Sequence, residues 1–164
     1  MKLSDITAAI LAGGRGTRLK PVLSDRPKVL APVQGKPFLS ILLEQLRFAG
    51  IRRVVICAGY KAEMIEAAFG GEYRGLALDY SIEPEPLGTA GALRYALPLL
   101  QSETVLALNG DSFFDVDLNE CLKCARFSEA AGTIALAKVE DTSRFGSVEL
   151  NTDGYITNFR EKAE

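Results

Sequence analysis

Short, almost continuously apolar runs alternate along the chain with amphipathic segments, and this alternation limits the fold more than any other feature. Four such runs are Ile6–Ala12, Val54–Ala58, Val105–Leu108 and Thr133–Val139. Runs of this length without a polar face are typical of strands that are covered on both sides. Because helical patterns lie between them, the sequence predicts βαβ units and an α/β fold with a doubly wound, mostly parallel open sheet.

The helical segments have recognisable ends. Four helices are predicted: one from Pro37 to a stop at Gly50, one over about residues 60–69, one from near Thr89 to the residue before Pro98, and one from Asp117, where Glu120 follows in a capping-box-like pair. The tail of the chain leaves this pattern. Phe145–Leu150 and Tyr155–Phe159 flank a turn sequence, which predicts a C-terminal antiparallel hairpin.

Composition excludes several classes of chemistry. The chain has 164 residues, a length typical of one domain, and it contains no histidine. Ser-His-Asp and Cys-His nucleophile systems, histidine bases and histidine-ligated metals are therefore ruled out. A net charge of −2 and apolar runs too short to span a bilayer argue against nucleic acid and membranes as partners.

Cysteine usage indicates a reducing compartment. Cys57, Cys121 and Cys124 are too few for a secreted disulfide framework, which predicts a cytoplasmic location. The Cys121-x-x-Cys124 spacing also fits a redox pair or half of a zinc site. Helical spacing with Leu118 and Leu122 favours the simpler interpretation, in which Cys121 is a small apolar core residue.

A glycine-rich, basic loop follows the first predicted strand. The sequence Leu-Ala-Gly-Gly-Arg-Gly-Thr-Arg-Leu occupies residues 11–19. It lacks the third glycine of the dinucleotide fingerprint and the Gly-Lys-Ser/Thr of the P-loop. Residues 13–36 nevertheless hold six basic residues against Asp25 alone. A cationic glycine loop at a strand tip predicts a polyphosphate site.

Three ordered motifs resemble the sugar-1-phosphate nucleotidylyltransferases. They are the loop at residues 11–19 with Pro27-Lys28 beyond it, the run Leu87-Gly88-Thr89-Ala90-Gly91-Ala92-Leu93, and Asn109-Gly110-Asp111. The resemblance implies a single Rossmann-like domain of the nucleotide-diphospho-sugar transferase type over residues 1–164. Residues 1–112 would bind the nucleotide, and residues 113–164 would begin the sugar-binding part.

The resemblance also implies roles for individual residues. Arg15 and Lys28 would act in catalysis by binding the phosphates. Asp111 would act with them by binding Mg²⁺, because a hard carboxylate at a strand end is a suitable ligand for this metal. The other implied contacts with the nucleotide are Ala12, Gly13, Gly14, Gly16, Thr17, Glu83, Gly88, Thr89 and Asn109. Gly146, Glu161 and Lys162 would contact the sugar phosphate.

The reaction implied is transfer of a nucleoside monophosphate to a sugar 1-phosphate, with release of pyrophosphate. A carboxylate at Glu83 suits the two donors of guanine better than the single donor of uracil or thymine, which favours GTP. Mannose 1-phosphate and D-glycero-D-manno-heptose 1-phosphate are the implied acceptors.

Two alternatives stay open: a uridylyl- or thymidylyltransferase of the same family, and a nucleotide-binding module with weak catalysis that serves regulation or assembly. A sheet edge near the end of the chain would also allow a homo-oligomer.

Overall fold

The computed structural model describes residues 2–14, 25–127, 130–141 and 146–160. The chain forms two compact units, residues 1–129 and 130–164. The expected division at residue 112 concerns ligands rather than packing, and it stays a prediction. Five of the predicted site residues lie outside the described residues: Arg15, Gly16, Thr17, Glu161 and Lys162.

The first unit is built on a five-stranded sheet. Its strands are β1 (Thr7–Leu11), β4 (Arg53–Ala58), β5 (Glu72–Tyr73), β6 (Leu76–Ile82) and β7 (Val105–Asn109). They lie in the order β5-β6-β4-β1-β7, and only β5 is antiparallel to its neighbour. Three of the four apolar runs therefore form parallel strands, as predicted. A small antiparallel pair, β2 (Pro32–Val33) and β3 (Lys36–Pro37), was not predicted.

Helices cover both faces of this sheet. They are α1 (Phe38–Ala49), α2 (Ala62–Phe69), α3 (Gly88–Ala96) and α4 (Leu118–Phe127). Helices α1, α2 and α4 pack on one face in a large buried cluster, whereas α3 packs on the other face against Val55 and Cys57. Alternate strand residues thus point to opposite layers, and the doubly wound fold is confirmed. Within the described part of the chain, no helix combines the length and hydrophobicity needed to cross a membrane.

Local signals explain where the helices end. Pro37 lies one position before α1 rather than inside it, and Gly50 closes the helix with φ +98°. At α4, a carboxylate oxygen of Asp117 accepts a hydrogen bond from the Asn119 amide at 2.8 Å. Glu120 does not complete a capping box in this arrangement, since its carboxylate pairs with Lys123 at 2.6 Å.

The second unit contains the predicted hairpin, formed by β8 (Ser147–Leu150) and β9 (Ile156–Arg160). The side-chain oxygen of Asn151 accepts the amides of Asp153 and Tyr155, which closes the turn. The prediction of a strand over Thr133–Val139 is wrong, because no strand forms there. Its apolar side chains are exposed, and β8 and β9, the strands described in this unit, pair with each other.

Candidate active site

The carboxyl ends of the parallel strands meet at one edge of the sheet. The ladder continues one residue beyond each strand: Ala12 donates to the carbonyl of Cys57 at 2.7 Å, Gly110 to that of Leu11 at 2.8 Å, and Glu83 to that of Ala58 at 2.8 Å. The segments after β1, β6 and β7 therefore leave the sheet from fixed positions. In open α/β sheets, ligands bind in the crevice beyond this edge.

Gly110 places Asp111 against the end of β1. A Cβ atom on Gly110 would lie 2.8 Å from the carbonyl oxygen of Leu11 and 3.1 Å from a methyl group of Val29. Only glycine lets the chain turn so close to β1, and Asp111 follows directly at the mouth of the crevice. The carboxylate of Asp111 also accepts a hydrogen bond from the Ser112 hydroxyl at 3.2 Å.

Lys28 reaches the same place from a different segment. It begins a short 3-10 turn, Lys28–Leu30, in which Val29 is buried, and the preceding Pro27 is buried as well. These two neighbours anchor the backbone while the lysine side chain stays partly exposed. The Nζ atom lies 2.7 Å from Oδ2 of Asp111, although the two residues are 83 positions apart.

The electrostatics of this pair keep Asp111 ionised. The hydrogen bond and charge of Lys28 lower the pKa of Asp111 below its ordinary value, against an opposing contribution from partial burial. Among the described residues, no group of three or more acidic or cysteine side chains could enclose a metal. A single ionised, accessible carboxylate fits Mg²⁺, which is held by one or two carboxylates and completes its shell with water and phosphate.

Glu83 links the glycine-rich loop to the start of α3. One carboxylate oxygen accepts the amide of Leu87 at 3.0 Å. The other oxygen lies beside Gly13, where a Cβ atom would come within 2.8 Å of it. Gly13 thus leaves room for the carboxylate, which is held at the end of β6 rather than extended freely into solvent.

The amino end of α3 faces the same edge. Gly88 opens the helix with φ +71°, and both Gly88 and Thr89 are exposed. The first amides of a helix have no partner within the helix, so this end offers donors to a ligand. Gly91 is required one turn later, because a Cβ atom there would lie 2.7 Å from Cβ of Leu87.

Part of the positive charge predicted for the basic segment is neutralised within it. Arg26 pairs with Asp25 at 2.6 Å, and Lys61 at the start of α2 donates to the backbone carbonyl of Asp25 at 2.7 Å. Lys28, by contrast, directs its charge to a residue at a strand end, Asp111. Arg15, the other predicted phosphate ligand, lies outside the described residues.

The thiols do not take part in this site. Burial between β4 and α3 raises the pKa of Cys57 to about 11, so its thiol is neutral at physiological pH. Cys121 is half-buried on α4 rather than a core residue, and Cys124 is exposed. All three are free cysteines.

The structure thus brings together Ala12, Gly13 and Glu83 around the end of β1, and Lys28 with Asp111 beside them. Gly14 and Asn109 are exposed at the same edge. Gly146 has a packing role in the hairpin, where a Cβ atom would lie 3.2 Å from the carbonyl oxygen of Arg160.

Sequence reasoning missed two residues that shape the site: Gly59, whose Cβ would lie 3.4 Å from the carbonyl oxygen of Gly13, and Ser112, which donates to Asp111. It named Leu87 and Gly110 within motifs but gave them no role of their own. The Asn-Gly-Asp turn was a usable signal for Gly110. Ser112 is next to Asp111 in sequence, whereas nothing local marks Gly59, because its contact with Gly13 depends on how the strands align.

Comparison with known proteins defines the class. The family model described as Nucleotidyl transferase matches residues 7–164. The chain therefore belongs to the nucleotidyl transferase family.

Within that family, the chain is similar to enzymes that are named for sugar 1-phosphates. It is 41% identical to D-glycero-alpha-D-manno-heptose 1-phosphate guanylyltransferase of Campylobacter jejuni, over 94% of this chain and 68% of that enzyme. It is 36% identical to mannose-1-phosphate guanylyltransferase of Mycobacterium tuberculosis, over 100% of this chain and 46% of that enzyme. The UTP–glucose-1-phosphate uridylyltransferase AglF of Haloferax volcanii is 35% identical, over 96% and 65% respectively.

A solved structure agrees. The crystal structure of HddC from Yersinia pseudotuberculosis complexed with GMP-PN has a TM-score of 0.79 and 31% identity, over 97% of this chain and 70% of that one. The resemblance to the sugar-1-phosphate nucleotidylyltransferases and the Rossmann-like fold are confirmed.

Proposed function

We propose that this chain transfers GMP from GTP to a sugar 1-phosphate such as mannose 1-phosphate or a manno-heptose 1-phosphate, and releases pyrophosphate. The observation that carries the proposal is the contact between Lys28 and Asp111 at the edge where the parallel strands end. A cation for phosphate and a carboxylate for metal stand side by side there, next to a glycine-rich turn. Two relatives with the matching activities in their names support the choice of base and sugar.

The chemistry needs little from the protein beyond placement and charge. An oxygen of the sugar phosphate attacks the α-phosphorus of the nucleotide in line, and pyrophosphate leaves from the opposite side. The attacking oxygen is already ionised at neutral pH, so the absence of histidine is no obstacle. Lys28 would neutralise the α-phosphate and the incoming sugar phosphate, and Arg15 the departing pyrophosphate.

Asp111 would hold Mg²⁺. When bound, the metal supplies charge neutralisation on the triphosphate and fixes its orientation. The backbone at Ala12, Gly13, Gly14 and Asn109 would line the nucleotide, together with Gly16 and Thr17. Gly146, Glu161 and Lys162 would serve the sugar phosphate.

Glu83 would read the base. Because one carboxylate oxygen is held by the Leu87 amide, the side chain is pre-positioned beside the start of α3. Gly88 and Thr89 would add donors from the helix. Guanine presents N1–H and an amino group on one edge, which suits an acceptor-only carboxylate. The similarity to AglF favours uridylyl transfer as the second candidate.

The proposal also includes the cellular location and the oligomeric state of the chain. The three free thiols suit the reducing cytoplasm. Among the described strands β7 is the last of its sheet, and such an edge suits association with a second copy, which light scattering on the purified chain would test.

The test is pyrophosphate release by the chain with Mg²⁺, either sugar phosphate, and GTP, UTP, dTTP, CTP or ATP in turn. We expect release that requires a sugar phosphate and is fastest with GTP. Arg15→Ala should lower this rate by about 10²-fold or more. Thermal stabilisation by a nucleotide without any release would instead support a binding module with weak catalysis.

Base choice is tested with a matched pair of variants. Glu83→Gln should lower kcat/KM for GTP by about tenfold, which is the scale of one hydrogen bond to a charged group. The value of kcat/KM for UTP should change much less. Glu85→Gln removes a neighbouring exposed acid and should leave both unchanged. Equal losses for GTP and UTP in Glu83→Gln would reject Glu83 as the reader of the base.

A further inference from the structure

Lys28 and Asp111 form an ion pair with each other in the candidate ligand-binding crevice. The Nζ atom lies 2.7 Å from Oδ2 of Asp111, and Ser112 donates to Oδ1 at 3.2 Å. Both oxygens of the carboxylate therefore have a donor within the protein. The two side chains are still 38% and 42% exposed, so incoming ligands can reach them.

This arrangement opposes the binding of a metal by itself. The lysine occupies one oxygen that a divalent cation would use, and its charge repels that cation at short range. A hydrated Mg²⁺ would have to displace the ammonium group into water and receive only one carboxylate in return. Mg²⁺ sheds its water reluctantly, so the exchange is unfavourable.

A triphosphate changes this balance. Its oxygens offer the ammonium group a new anionic partner, and they also carry ligands for the metal. The backbone on both sides is anchored, by buried Pro27 and Val29 around the lysine and by Gly110 against β1 before the aspartate. Only the two side chains need to move when they change partners.

We propose that Lys28 closes the Asp111 carboxylate to divalent metal until a triphosphate draws the lysine away, so that metal joins this site with or after the nucleotide and not before it. This inference rests on the proposed function, because it takes Asp111 as the metal ligand and Lys28 as a phosphate ligand. It adds an order of binding and assigns a functional role to the contact between Lys28 and Asp111.

The experiment titrates Mn²⁺ alone into the nucleotide-free chain and counts free Mn²⁺ by electron paramagnetic resonance. We expect weak binding by the unaltered chain and binding about fivefold to tenfold tighter by Lys28→Met, because both the competing ion pair and the repulsion are gone. Lys123→Met removes the cation of another exposed lysine–carboxylate pair, on α4, and should leave Mn²⁺ binding unchanged. Lys28→Gln provides a second variant if Lys28→Met alters the melting temperature.

Two results would overturn the order of binding. One is equal Mn²⁺ affinity in the unaltered chain and in both Lys28 variants. The other is a gain in affinity that persists when Asp111→Asn is added to Lys28→Met, since the metal would then bind elsewhere. Pyrophosphate release is scored separately: release together with either result keeps the transferase and rejects the order, whereas the expected gain without release supports closure of Asp111 by Lys28 and rejects the transferase.

Discussion

The two units of the chain use similar apolar sequence in different ways. In the first unit, strands such as β1 and β4 are buried between helical layers, and every apolar residue buried in the described structure belongs to this unit. In the second unit, the segment 133–139 and most of the hairpin leave their large apolar residues exposed, and Val148 on β8 is half-buried. An apolar run becomes a buried strand only where neighbouring strands pair with it and helices cover it.

This difference has a consequence for function. Glu83 and Asp111, which follow the ends of β6 and β7, and Lys28, on its 3-10 turn, belong to the unit with a complete core. Functional groups are held in place more precisely where packed, rigid elements support them than where the surrounding chain is exposed. The nucleotide half of the proposed site is therefore supported by the fold, while the predicted sugar-side residue Gly146 lies in a unit with little buried surface.

A substitution in the core of the first unit is expected to change stability the most. Leu43 on α1 is fully buried, so Leu43→Ala should lower the free energy of unfolding by about 2–5 kcal/mol. Urea unfolding followed by circular dichroism measures this. A loss below about 1 kcal/mol would mean that α1 does not anchor the sheet.

A second substitution tests how the site is built on that core. Gly110→Ala forces a Cβ atom to within 2.8 Å of the Leu11 carbonyl, and we expect a loss of about 1–3 kcal/mol together with displacement of Asp111. Gly71→Ala is the matched control, since nothing lies within 4 Å of its Cβ position. If the two variants had equal stability, the close approach of β7 to β1 at this edge would be in doubt.

A smaller effect depends on pH. Glu44 accepts hydrogen bonds from Arg47 and Arg74, both at 2.8 Å, and these interactions lower the pKa of Glu44. A carboxylate with a lowered folded-state pKa stabilises the fold above its unfolded pKa, and the contribution disappears as pH falls through the folded value. Glu44→Gln should therefore lower the melting temperature at pH 7 and have progressively less effect below about pH 4. A difference that stayed constant down to pH 2 would contradict this assignment.

The smallest effect is expected in the hairpin. Phe159 on β9 is 60% exposed, so Phe159→Ala should change the free energy of unfolding by no more than about 0.5 kcal/mol. The same urea titration applies. A loss similar to that of Leu43→Ala would mean that the hairpin buries far more surface than its exposure indicates, and the contrast between the units would fail.

The parts of the fold that depend on local pattern could be predicted from sequence. Strands β1, β4 and β7, the Gly50 helix stop and the hairpin turn at Asn151 all follow from short-range signals. The strand expected at Thr133–Val139 was wrong because pairing, unlike hydrophobicity, is not a local property. For the same reason, sequence pointed to Lys28 and Asp111 separately and could not show that they contact each other across 83 positions.

Hydrogen–deuterium exchange of the full chain with Mg²⁺ and GTP, read peptide by peptide, tests whether this edge of the sheet is the nucleotide site. We expect slower exchange at the strand ends of the first unit and at the turn of Lys28, in residues 12–14, 25–30, 83–91 and 109–112. We expect no change in residues 146–160 until a sugar 1-phosphate is added. Protection confined to the hairpin, or no protection at the strand tips at saturating nucleotide, would contradict the assignment of these tips as the nucleotide site.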